Sequence, residues 1–496
     1  MNEQRTNSPG AAMMTSPAQL TGRSSPRRHL LPCCLLALTL TGCAVGPDFQ
    51  RPRADLPANW VNASAANAQA VSDQELRSWW TKFNDPQLTS LIERARAANL
   101  DLRMAAARVR QARASKGIAF AALGPTVDAS GSYTRSRNAT TGVKADLYQA
   151  GFDAGWELDL FGGARRGVEA AEADLAAAQE GQSGVLVSLA AEVASNYITL
   201  RTTQQRLAVA RQNLAAQEKT AEITRQLYAA GFSNRLDLSN AEAQRATTAA
   251  EMPVLEAAVR QTMHNLAVLL GLPPGALLTE LTPPAVVPVA ATEVPTGIPS
   301  DLLRRRPDIR QAEAALHGAT ARIGVATADL FPRFTLSGAM NFSDPSLGSL
   351  FTWAARGWTF GPSVSWRLFD TGRTLANIEL QKAMQEEEGL AYQKTVLVAL
   401  QEVENSLVAA SKEKEHQQAL TEAVAANQRA TELATRLYRA GETDFLSVLV
   451  AQRSLYAAQD ALAQSTGTVA TDLVALYKAL GGGWEEKTAA DQAASP

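Results

Sequence analysis

The chain has 496 residues, of which 46% are apolar and 19% charged, and its formal net charge at pH 7 is −2. This composition is typical of an ordered protein and gives no basic surface that would attract nucleic acid. No histidine pair has metal-ligand spacing, and neither a phosphate loop nor a nucleophile motif occurs. The sequence therefore predicts no enzyme, no catalytic residue, no metal site, no cofactor and no nucleic-acid partner.

The N-terminus has the features of an export signal. Arg27 and Arg28 precede an apolar run that ends in the tetrapeptide Leu-Thr-Gly-Cys43. A basic segment, a short apolar stretch and small residues before the cleavage point are typical of secretory signals. The run is also shorter than the ~20 residues that a membrane-spanning helix needs. We therefore predict a signal peptide over residues 1–42.

The tetrapeptide that ends in Cys43 resembles the bacterial lipobox. The resemblance implies cleavage before Cys43 and acylation of its sulfur, with palmitate as the expected lipid. Ala44 rather than aspartate follows, which implies an outer-membrane address. An ordinary signal with an incidental cysteine is the alternative. Since the other two cysteines lie in the signal, no internal disulfide is expected.

The same order of elements occurs twice in the chain. The segment from Leu227 to Gly231 returns from Leu437 to Gly441. Such self-similarity indicates an internal tandem duplication. The predicted organisation is an N-terminal segment (43–84), a first repeat (85–272), a Pro-rich linker (273–299), a second repeat (300–483) and a C-terminal tail (484–496).

Each repeat contains a stretch in which apolar and polar residues alternate, and this predicts β-hairpins at 126–161 and 333–369. The strands have ~10 residues or slightly more, the length with which a tilted strand crosses a bilayer. Tryptophans near their ends suit the two membrane interfaces. A soluble β-sandwich is the alternative, although only four strands are present.

Long segments without proline follow the hairpins, from about Arg165 to Tyr228 and from about Thr374 to Tyr438. About 64 residues at 1.5 Å each give ~95 Å of helix, a length typical of coiled coils. No apolar run beyond the signal is expected to span a membrane as a helix. Four strands cannot close a barrel, so partner chains are required. Two copies would give eight strands and three would give twelve, and this geometry fixes only an oligomer.

Several motifs carry a family resemblance over essentially all of the mature chain. They are Trp79-Trp80-x-x-Phe83-x-Asp85-Pro86, the segment from Trp156 to Gly162, the segment from Asp301 to Ile309, and Ala451-Gln452-Arg453. Through them the chain resembles the outer membrane factor (outer membrane efflux protein) family. The lipoprotein branch, which is paired with resistance-nodulation-division drug pumps, is the most similar.

The resemblance implies a mixed, mainly α fold with a transmembrane β part. In it a trimeric α-helical barrel is continuous with a twelve-stranded β-barrel, to which each chain gives four strands. The resemblance also implies an equatorial region built from the N-terminal segment, the Pro-rich linker and the C-terminus. The implied function is that of a passive efflux duct for drugs and toxic compounds, located in the outer membrane and extending into the periplasm. The implied partners are two further copies of the chain, a periplasmic adaptor (membrane fusion protein), a proton-driven inner-membrane pump and outer-membrane lipid.

The resemblance also implies two sites at the periplasmic end. The turns at 228–236 and 438–446 would form a tip that binds the adaptor; the candidate residues are Leu227, Tyr228, Gly231, Leu437, Tyr438 and Gly441. Leu446 and Arg453 lie two helical turns apart on one face and would form the rings of a gate. Val450 stands where family members often carry aspartate, and Asp444 is the candidate to replace that acid. Plain turns and a leucine in a helix core are the alternatives.

Three other interpretations were weighed on the same residues. A protein-secretion duct fed by an ATP-driven exporter has the same fold, but the lipobox and the Arg304–Ile309 segment resemble the drug-efflux branch more. A coiled-coil lipoprotein without a pore leaves the alternating hairpins unexplained. A hydrolase lacks a residue set. The three arginines from Arg304 to Arg306 are expected to be a solvated cluster at the start of a helix rather than an anion site.

Overall fold

The computed structural model describes residues 44–53, 55–62, 73–290 and 296–484, so the predicted signal peptide, Cys43 and most of the C-terminal tail lie outside the described residues. Over these ranges the elements are α1 (Asp73–Arg77), α2 (Pro86–Ala98), α3 (Leu100–Ala121), β1 (Thr126–Arg137), β2 (Lys144–Leu158), α4 (Gly163–Ala229), α5 (Arg235–Leu269), α6 (Leu278–Leu281), α7 (Leu302–Arg305), α8 (Pro307–Ala328), β3 (Arg333–Asp344), β4 (Arg356–Ser365), α9 (Arg373–Ala440) and α10 (Phe445–Ala479). Short 3₁₀ helices lie at Trp79–Phe83, Pro299–Asp301 and Trp353–Ala355.

The two repeats are visible in the backbone. Each contains a helix, a β-hairpin, a helix of 67 or 68 residues and a returning helix of 35 residues. Glycines at equivalent positions take the same left-handed conformation, with φ of 80° at Gly162 and 82° at Gly372 before the long helices. The predicted duplication therefore has a structural counterpart that extends to single residues.

The helical segment that precedes the first β-hairpin is divided at Asn99 into α2 and α3. The Asn99 side chain accepts a hydrogen bond from the Leu102 backbone N–H at 2.9 Å and so caps α3. Its amide also donates to the Leu269 carbonyl oxygen at 2.9 Å, which ties the division between α2 and α3 to the end of α5.

The four strands form one antiparallel sheet in the order β1-β2-β3-β4. The register pairs Tyr133 with Tyr148, Phe152 with Met340 and Gly338 with Phe360, so the apolar residues of all four strands share one face. Both hairpins end earlier than predicted: the first ends at Leu158 rather than 161, and the second at Ser365 rather than 369. After Ser365 the chain leaves the ladder and leads into α9. The outer edges of β1 and β4 carry no partner strand within the described ranges.

The largest buried cluster joins both repeats to the N-terminal segment and the linker. Trp79 is fully buried and stacks on Tyr477 of α10, with ring centroids 5.3 Å apart. Tyr197 of α4 donates its hydroxyl to an Asp85 carboxylate oxygen at 2.8 Å, and burial raises the pKa of this tyrosine to about 12. The segment assigned to an equatorial region is therefore packed into the core of the chain.

Among the described residues one helix, α4, is long and apolar enough to cross a membrane by length and composition, and half of its most apolar window is buried inside the chain. This differs from the expectation that no segment beyond the signal would pass such a test. A core helix passes the same test, so the result is weak support for a spanning helix.

Candidate functional site

The two predicted adaptor-binding turns have the same backbone geometry. At the first, the Phe232 N–H donates to the Leu227 carbonyl oxygen at 2.8 Å, and at the second the Glu442 N–H donates to Leu437 at 2.9 Å. Gly231 and Gly441 take left-handed φ angles of 78° and 76°. These are Schellman turns, in which glycine ends the helix because side chains disfavour this conformation. The turns proper are shorter than predicted, at 230–234 and 441–444.

The two turns differ in their side chains. Tyr438 is buried against the helical hairpin that α4 and α5 form around the first turn. Its ring centroid lies 5.5 Å from that of Phe445, and its hydroxyl oxygen lies 3.5 Å from that of Thr224. Its counterpart Tyr228 is 41% exposed. Of the predicted pair of tyrosines, only Tyr228 is therefore available to a partner. Tyr438 instead joins the helical hairpin of α4 and α5 to the helical hairpin of α9 and α10.

Phe232 was not predicted as a site residue from the sequence, and its side chain is 83% exposed at the first turn. Its counterpart in the second repeat is Glu442, which is also exposed. An aromatic residue in a five-residue turn, at the position equivalent to an acid in the other repeat, was the available signal. One turn thus presents an apolar side chain and the other an acidic one.

The predicted gate residues lie on one exposed face of α10. Leu446 and Val450 are 58% and 54% exposed, and Arg453 follows one turn later. The Arg453 Nε donates to the Gln244 amide oxygen on α5 at 2.5 Å, so part of its hydrogen-bonding capacity is used within the chain. The opposite face of α10, with Phe445, is buried. The assignment of this face to a gate stays a prediction.

Asp444 has a local structural role. Its carboxylate accepts hydrogen bonds from the Ser447 backbone N–H at 3.0 Å and from the Ser447 hydroxyl at 2.7 Å, which caps the N-terminus of α10. These hydrogen bonds hold the pKa of Asp444 below its ordinary value. The carboxylate is thus ionised and occupied, and its proposed replacement of the acid missing at Val450 stays a prediction.

The described residues that follow Cys43 run along the junction between sheet and helices. Val45 donates its backbone N–H to the Phe161 carbonyl oxygen at 3.0 Å. The buried Arg166 guanidinium donates to the Val45 carbonyl oxygen at 3.2 Å and to the Asp48 carboxylate at 2.6 Å. Residues 44–53, here called the N-terminal strap, are therefore held where β2 ends and α4 begins.

A solvated cluster of three arginines was predicted at the start of α8, and this prediction is wrong for Arg306. Arg306 is buried and donates to the carboxylates of Asp308 and Glu402, at 2.7 Å each, and to the Ala479 carbonyl oxygen at 3.0 Å. A buried guanidinium needs such compensation because an unpaired charge in the interior is costly. Arg304, in contrast, is exposed beside Asp301.

Within the part of the chain that the structure describes, no group of three histidine, cysteine or acidic side chains could hold a metal ion. His317 lies between Phe49 of the strap, which stacks on it at 4.5 Å, and the Glu169 carboxylate at 3.0 Å. This histidine therefore contributes to packing of the strap.

Long helices that end in two exposed turns, next to a sheet with one apolar face, are shared with proteins of known type. A family profile described as "Outer membrane efflux protein" matches residues 91–272 and 298–482. The chain belongs to the outer membrane efflux protein family. It is 36% identical over 457 residues to nodulation protein T of Rhizobium leguminosarum bv. trifolii, which covers 90% of this chain and 96% of the relative. It is 34% identical over 484 residues to the probable efflux pump outer membrane protein TtgC of Pseudomonas putida, covering 94% and 98%.

Two solved channels have the same fold. The structure of the outer-membrane channel OprN superposes with a TM-score of 0.81 at 39% identity, covering 89% of this chain and all of OprN. The structure of CusC gives 0.80 at 28% identity with the same coverage. The predicted fold class is thereby confirmed: a mainly α chain with a small sheet, the subunit fold of a trimeric α-helical barrel continuous with a β-barrel. The protein is an outer-membrane efflux channel of a tripartite system and not an enzyme.

Proposed function

We propose that this chain is one subunit of a homotrimeric, lipid-anchored exit duct that opens when a periplasmic adaptor binds its two exposed turns. Energy comes from a proton-driven inner-membrane pump of the resistance-nodulation-division type, and this chain supplies a passive route for small molecules. Relatives are named for efflux of antibiotics, toluene and cations. Such different substrates fit a duct that leaves selection to the pump.

The free edges of the sheet carry the proposal of a homotrimer. The outer backbone groups of β1 and β4 have no partner strand in the described chain, and in lipid each unpaired group costs several kcal/mol. Pairing β4 of one copy with β1 of the next satisfies both edges. Three copies give twelve strands, which leaves an open lumen, whereas the eight strands of a dimer would be filled by side chains.

The position of the N-terminal strap supports lipid anchoring. The strap begins at Ala44, directly after the proposed acylated Cys43, and Ala44 packs against Gly162 where the sheet meets α4. If the sheet crosses the membrane, an acyl chain on Cys43 would start at the level of the periplasmic interface. The lipid would then add to the attachment that the barrel provides.

The exposed turns support adaptor binding because one presents an apolar side chain and the other an acidic one. Phe232 is 83% exposed at the first turn, and Glu442 is exposed at the second. We propose that Tyr228 and Phe232 anchor the adaptor, and that Leu446, Val450 and Arg453 narrow the resting duct above it.

A photo-crosslinking pull-down in native cells tests this function. A photo-reactive residue replaces Glu442, and the captured proteins are identified by mass spectrometry. The same residue at Leu347, in the loop between β3 and β4 at the opposite end of the strands, is the control. Capture of the adaptor of a proton-driven drug pump from position 442 but not from 347 is the expected result. Capture of the adaptor of an ATP-driven exporter would favour protein secretion, and capture of nothing would contradict docking at this turn.

A further inference from the structure

The apolar face of the sheet ends in a pair of tyrosines at the end of the strands that is remote from the helices. Tyr133 of β1 and Tyr148 of β2 are register partners, and their ring centroids lie 4.7 Å apart. The same face continues along β2 to Leu158. At ~3.4 Å per residue and a tilt of ~40°, this stretch of strand covers ~26 Å of membrane thickness, close to the ~25 Å apolar band of a membrane-spanning barrel. The two tyrosines therefore lie at the outer edge of the band that contacts lipid.

Three basic residues follow beyond the tyrosines on the same face. Side chains alternate along a strand, so Arg135 and Arg137 of β1 and Lys144 of β2 lie on the face that carries the two tyrosines. The register places Arg137 directly opposite Lys144, and all three residues are exposed. We call these three residues the outer cation patch. The patch lies just outside the apolar band, at the depth of the lipid headgroups.

The acidic side chain closest to the patch in the register is already engaged within the sheet. Asp146 is the register partner of Arg135, whose Nε lies 3.6 Å from a carboxylate oxygen of Asp146. The same oxygen accepts a hydrogen bond from the Tyr133 hydroxyl at 2.8 Å. One carboxylate therefore faces three cations, and the patch retains an excess of positive charge.

Arg137 and Lys144 lack an acidic partner in the sheet. The Arg137 Nε donates to the Gly142 carbonyl oxygen at 3.3 Å, and no ion pair joins Arg137 or Lys144 to another residue in the described ranges. Like charges that lie directly opposite each other on neighbouring strands destabilise a sheet. A phosphate group held between the two side chains would remove this repulsion, and a guanidinium group binds phosphate through two parallel hydrogen bonds.

The second β-hairpin, formed by β3 and β4, shows that the fold itself does not require this charge. Its strands pair in the same register as β1 and β2, so each position of the patch has a counterpart. The counterparts of Arg135, Arg137, Lys144 and Asp146 are Phe342, Asp344, Ala354 and Arg356. Asp344 accepts a hydrogen bond from the Ser349 hydroxyl at 2.6 Å. With one acid and one cation at this level, the second β-hairpin has no excess charge, so the excess on the first one points to a ligand.

We propose that the outer cation patch binds the phosphate groups of a lipid headgroup in the outer leaflet of the outer membrane. The long helices leave the sheet at its other end and extend into the periplasm, so the patch faces the outer leaflet. A lipid is the ligand because the patch continues the apolar face without interruption. Acyl chains would lie along that face while the headgroup reaches the three cations. Each cation near a membrane surface adds to the attraction of anionic lipid.

The outer cation patch gives the chain a second contact with lipid. The acyl chain proposed at Cys43 would lie at the periplasmic interface, whereas the patch lies at the opposite interface. Together the two contacts would fix the level of the sheet in the membrane from both sides. The inference requires only that the apolar face of the sheet contacts lipid, and it does not depend on adaptor binding or on the gate.

Native mass spectrometry of the full-length protein in detergent tests the proposal by counting bound lipids. The probe is lipid A with two phosphate groups, and lipid A with one phosphate group and the same acyl chains is the matched ligand control. R137Q/K144Q removes two cations of the patch, whereas R436Q/R439Q removes two exposed cations beside the second turn. We expect R137Q/K144Q to bind the diphosphorylated lipid roughly thirtyfold more weakly, about fivefold for each cation removed, and R436Q/R439Q to bind it unchanged.

Equal binding by R137Q/K144Q and by the unsubstituted chain would overturn the patch as the lipid site, and equal binding of the two forms of lipid A would overturn the recognition of phosphate. Displacement of the lipid by millimolar inorganic phosphate would make a free anion the ligand and would overturn the lipid. The same spectra give the number of copies in each assembly. If R137Q/K144Q fails to assemble, K144Q alone carries the test, with an expected loss of about fivefold. A monomer or dimer mass for the unsubstituted chain would contradict the homotrimer without affecting the patch.

Discussion

Trp156 and Trp366 occupy equivalent positions in the two repeats and make the same hydrogen bond. The Trp156 indole N–H donates to the Leu123 carbonyl oxygen at 2.9 Å, and that of Trp366 donates to Leu330 at 3.1 Å. Leu123 and Leu330 follow the helices that lead into the hairpins. Each tryptophan therefore ties the end of its hairpin to the segment that connects the preceding helix to the first strand of that hairpin.

Replacing Trp366 by phenylalanine should lower the stability of the folded protein by ~1 kcal/mol because the Leu330 carbonyl oxygen loses its donor. Trp358→Phe is the control, since no hydrogen bond joins the indole of Trp358 to any residue in the described ranges and its side chain is 74% exposed. Thermal unfolding of protein in detergent, followed by tryptophan fluorescence, measures both. An equal effect of the two variants would mean that the hydrogen bond has no special role.

The sequence predicted the elements of this fold well because the signals are long and local. The alternation of apolar and polar residues predicted four strands. The absence of proline predicted two helices of about 64 residues, which have 67 and 68 residues in the structure. The partners of single side chains could not be predicted in this way. Arg306 was expected in solvent, yet it is buried because Glu402, nearly a hundred residues later, lies beside it in the fold.

The candidate site was predicted less completely for the same reason. Gly231 and Gly441 mark turns in any context, since only their own backbone decides the conformation. Whether Tyr228 or Tyr438 is exposed depends on which hairpin packs against it. Both tyrosines lie in the same Leu-Tyr-x-x-Gly motif, so the sequence motif alone cannot tell which of the two is buried.

Gly441→Ala should destabilise the second turn by ~1 kcal/mol or slightly more, because a side chain at a left-handed φ is strained. Nothing lies within 4 Å of the added methyl group, so crowding makes no contribution. Gly167→Ala, in the interior of α4 and equally uncrowded, should instead be neutral or stabilising. Amide hydrogen exchange at 437–447 reports the change, and unaltered protection there would contradict it.

Phe232→Glu should weaken adaptor capture, because it removes the exposed apolar side chain of the first turn. The new glutamate matches Glu442, which stands at the equivalent position of the second turn. Phe232→Leu keeps an apolar side chain and should retain most of the capture. Because Phe232 is 83% exposed, neither substitution should change the free energy of unfolding by more than ~0.5 kcal/mol. The photo-crosslinking yield from position 442 compares the variants, and equal yields would exclude Phe232 as an anchor.

Val450→Asp should increase the preference of the duct for cations. It places a carboxylate on the exposed face of α10 between Leu446 and Arg453, and three copies in a narrow lumen attract positive ions. Val450→Asn, of similar size but without charge, is the control. Reversal potentials in a KCl gradient across planar bilayers measure the preference. The same potential for both variants would mean that this face does not line the lumen.

The N-terminal strap should loosen in acid. Burial alone would raise the pKa of Glu169, but hydrogen bonds from Arg166 and His317 outweigh it and hold that pKa below its ordinary value. A carboxyl group with a lowered pKa stabilises the fold above the pKa of the unfolded chain, ~4.3, and this contribution is lost as pH falls through the folded value. Since Arg166 also holds Val45 and Asp48, protonation of Glu169 weakens the support of the strap.

Hydrogen exchange of residues 44–53 between pH 7 and pH 3, corrected for the intrinsic rate, measures this loosening. Glu169→Gln should loosen the strap at neutral pH and flatten the pH dependence. Glu172→Gln removes an exposed carboxylate on the same helix, whose salt bridge is with Lys116 and not with the strap, and should leave the profile unchanged. Two further carboxylates form ion pairs that hold the strap: Asp48 of the strap pairs with Arg166, and Glu313 pairs with Arg51 of the strap. A profile that stays steep in Glu169→Gln would assign the acid response to those two carboxylates instead.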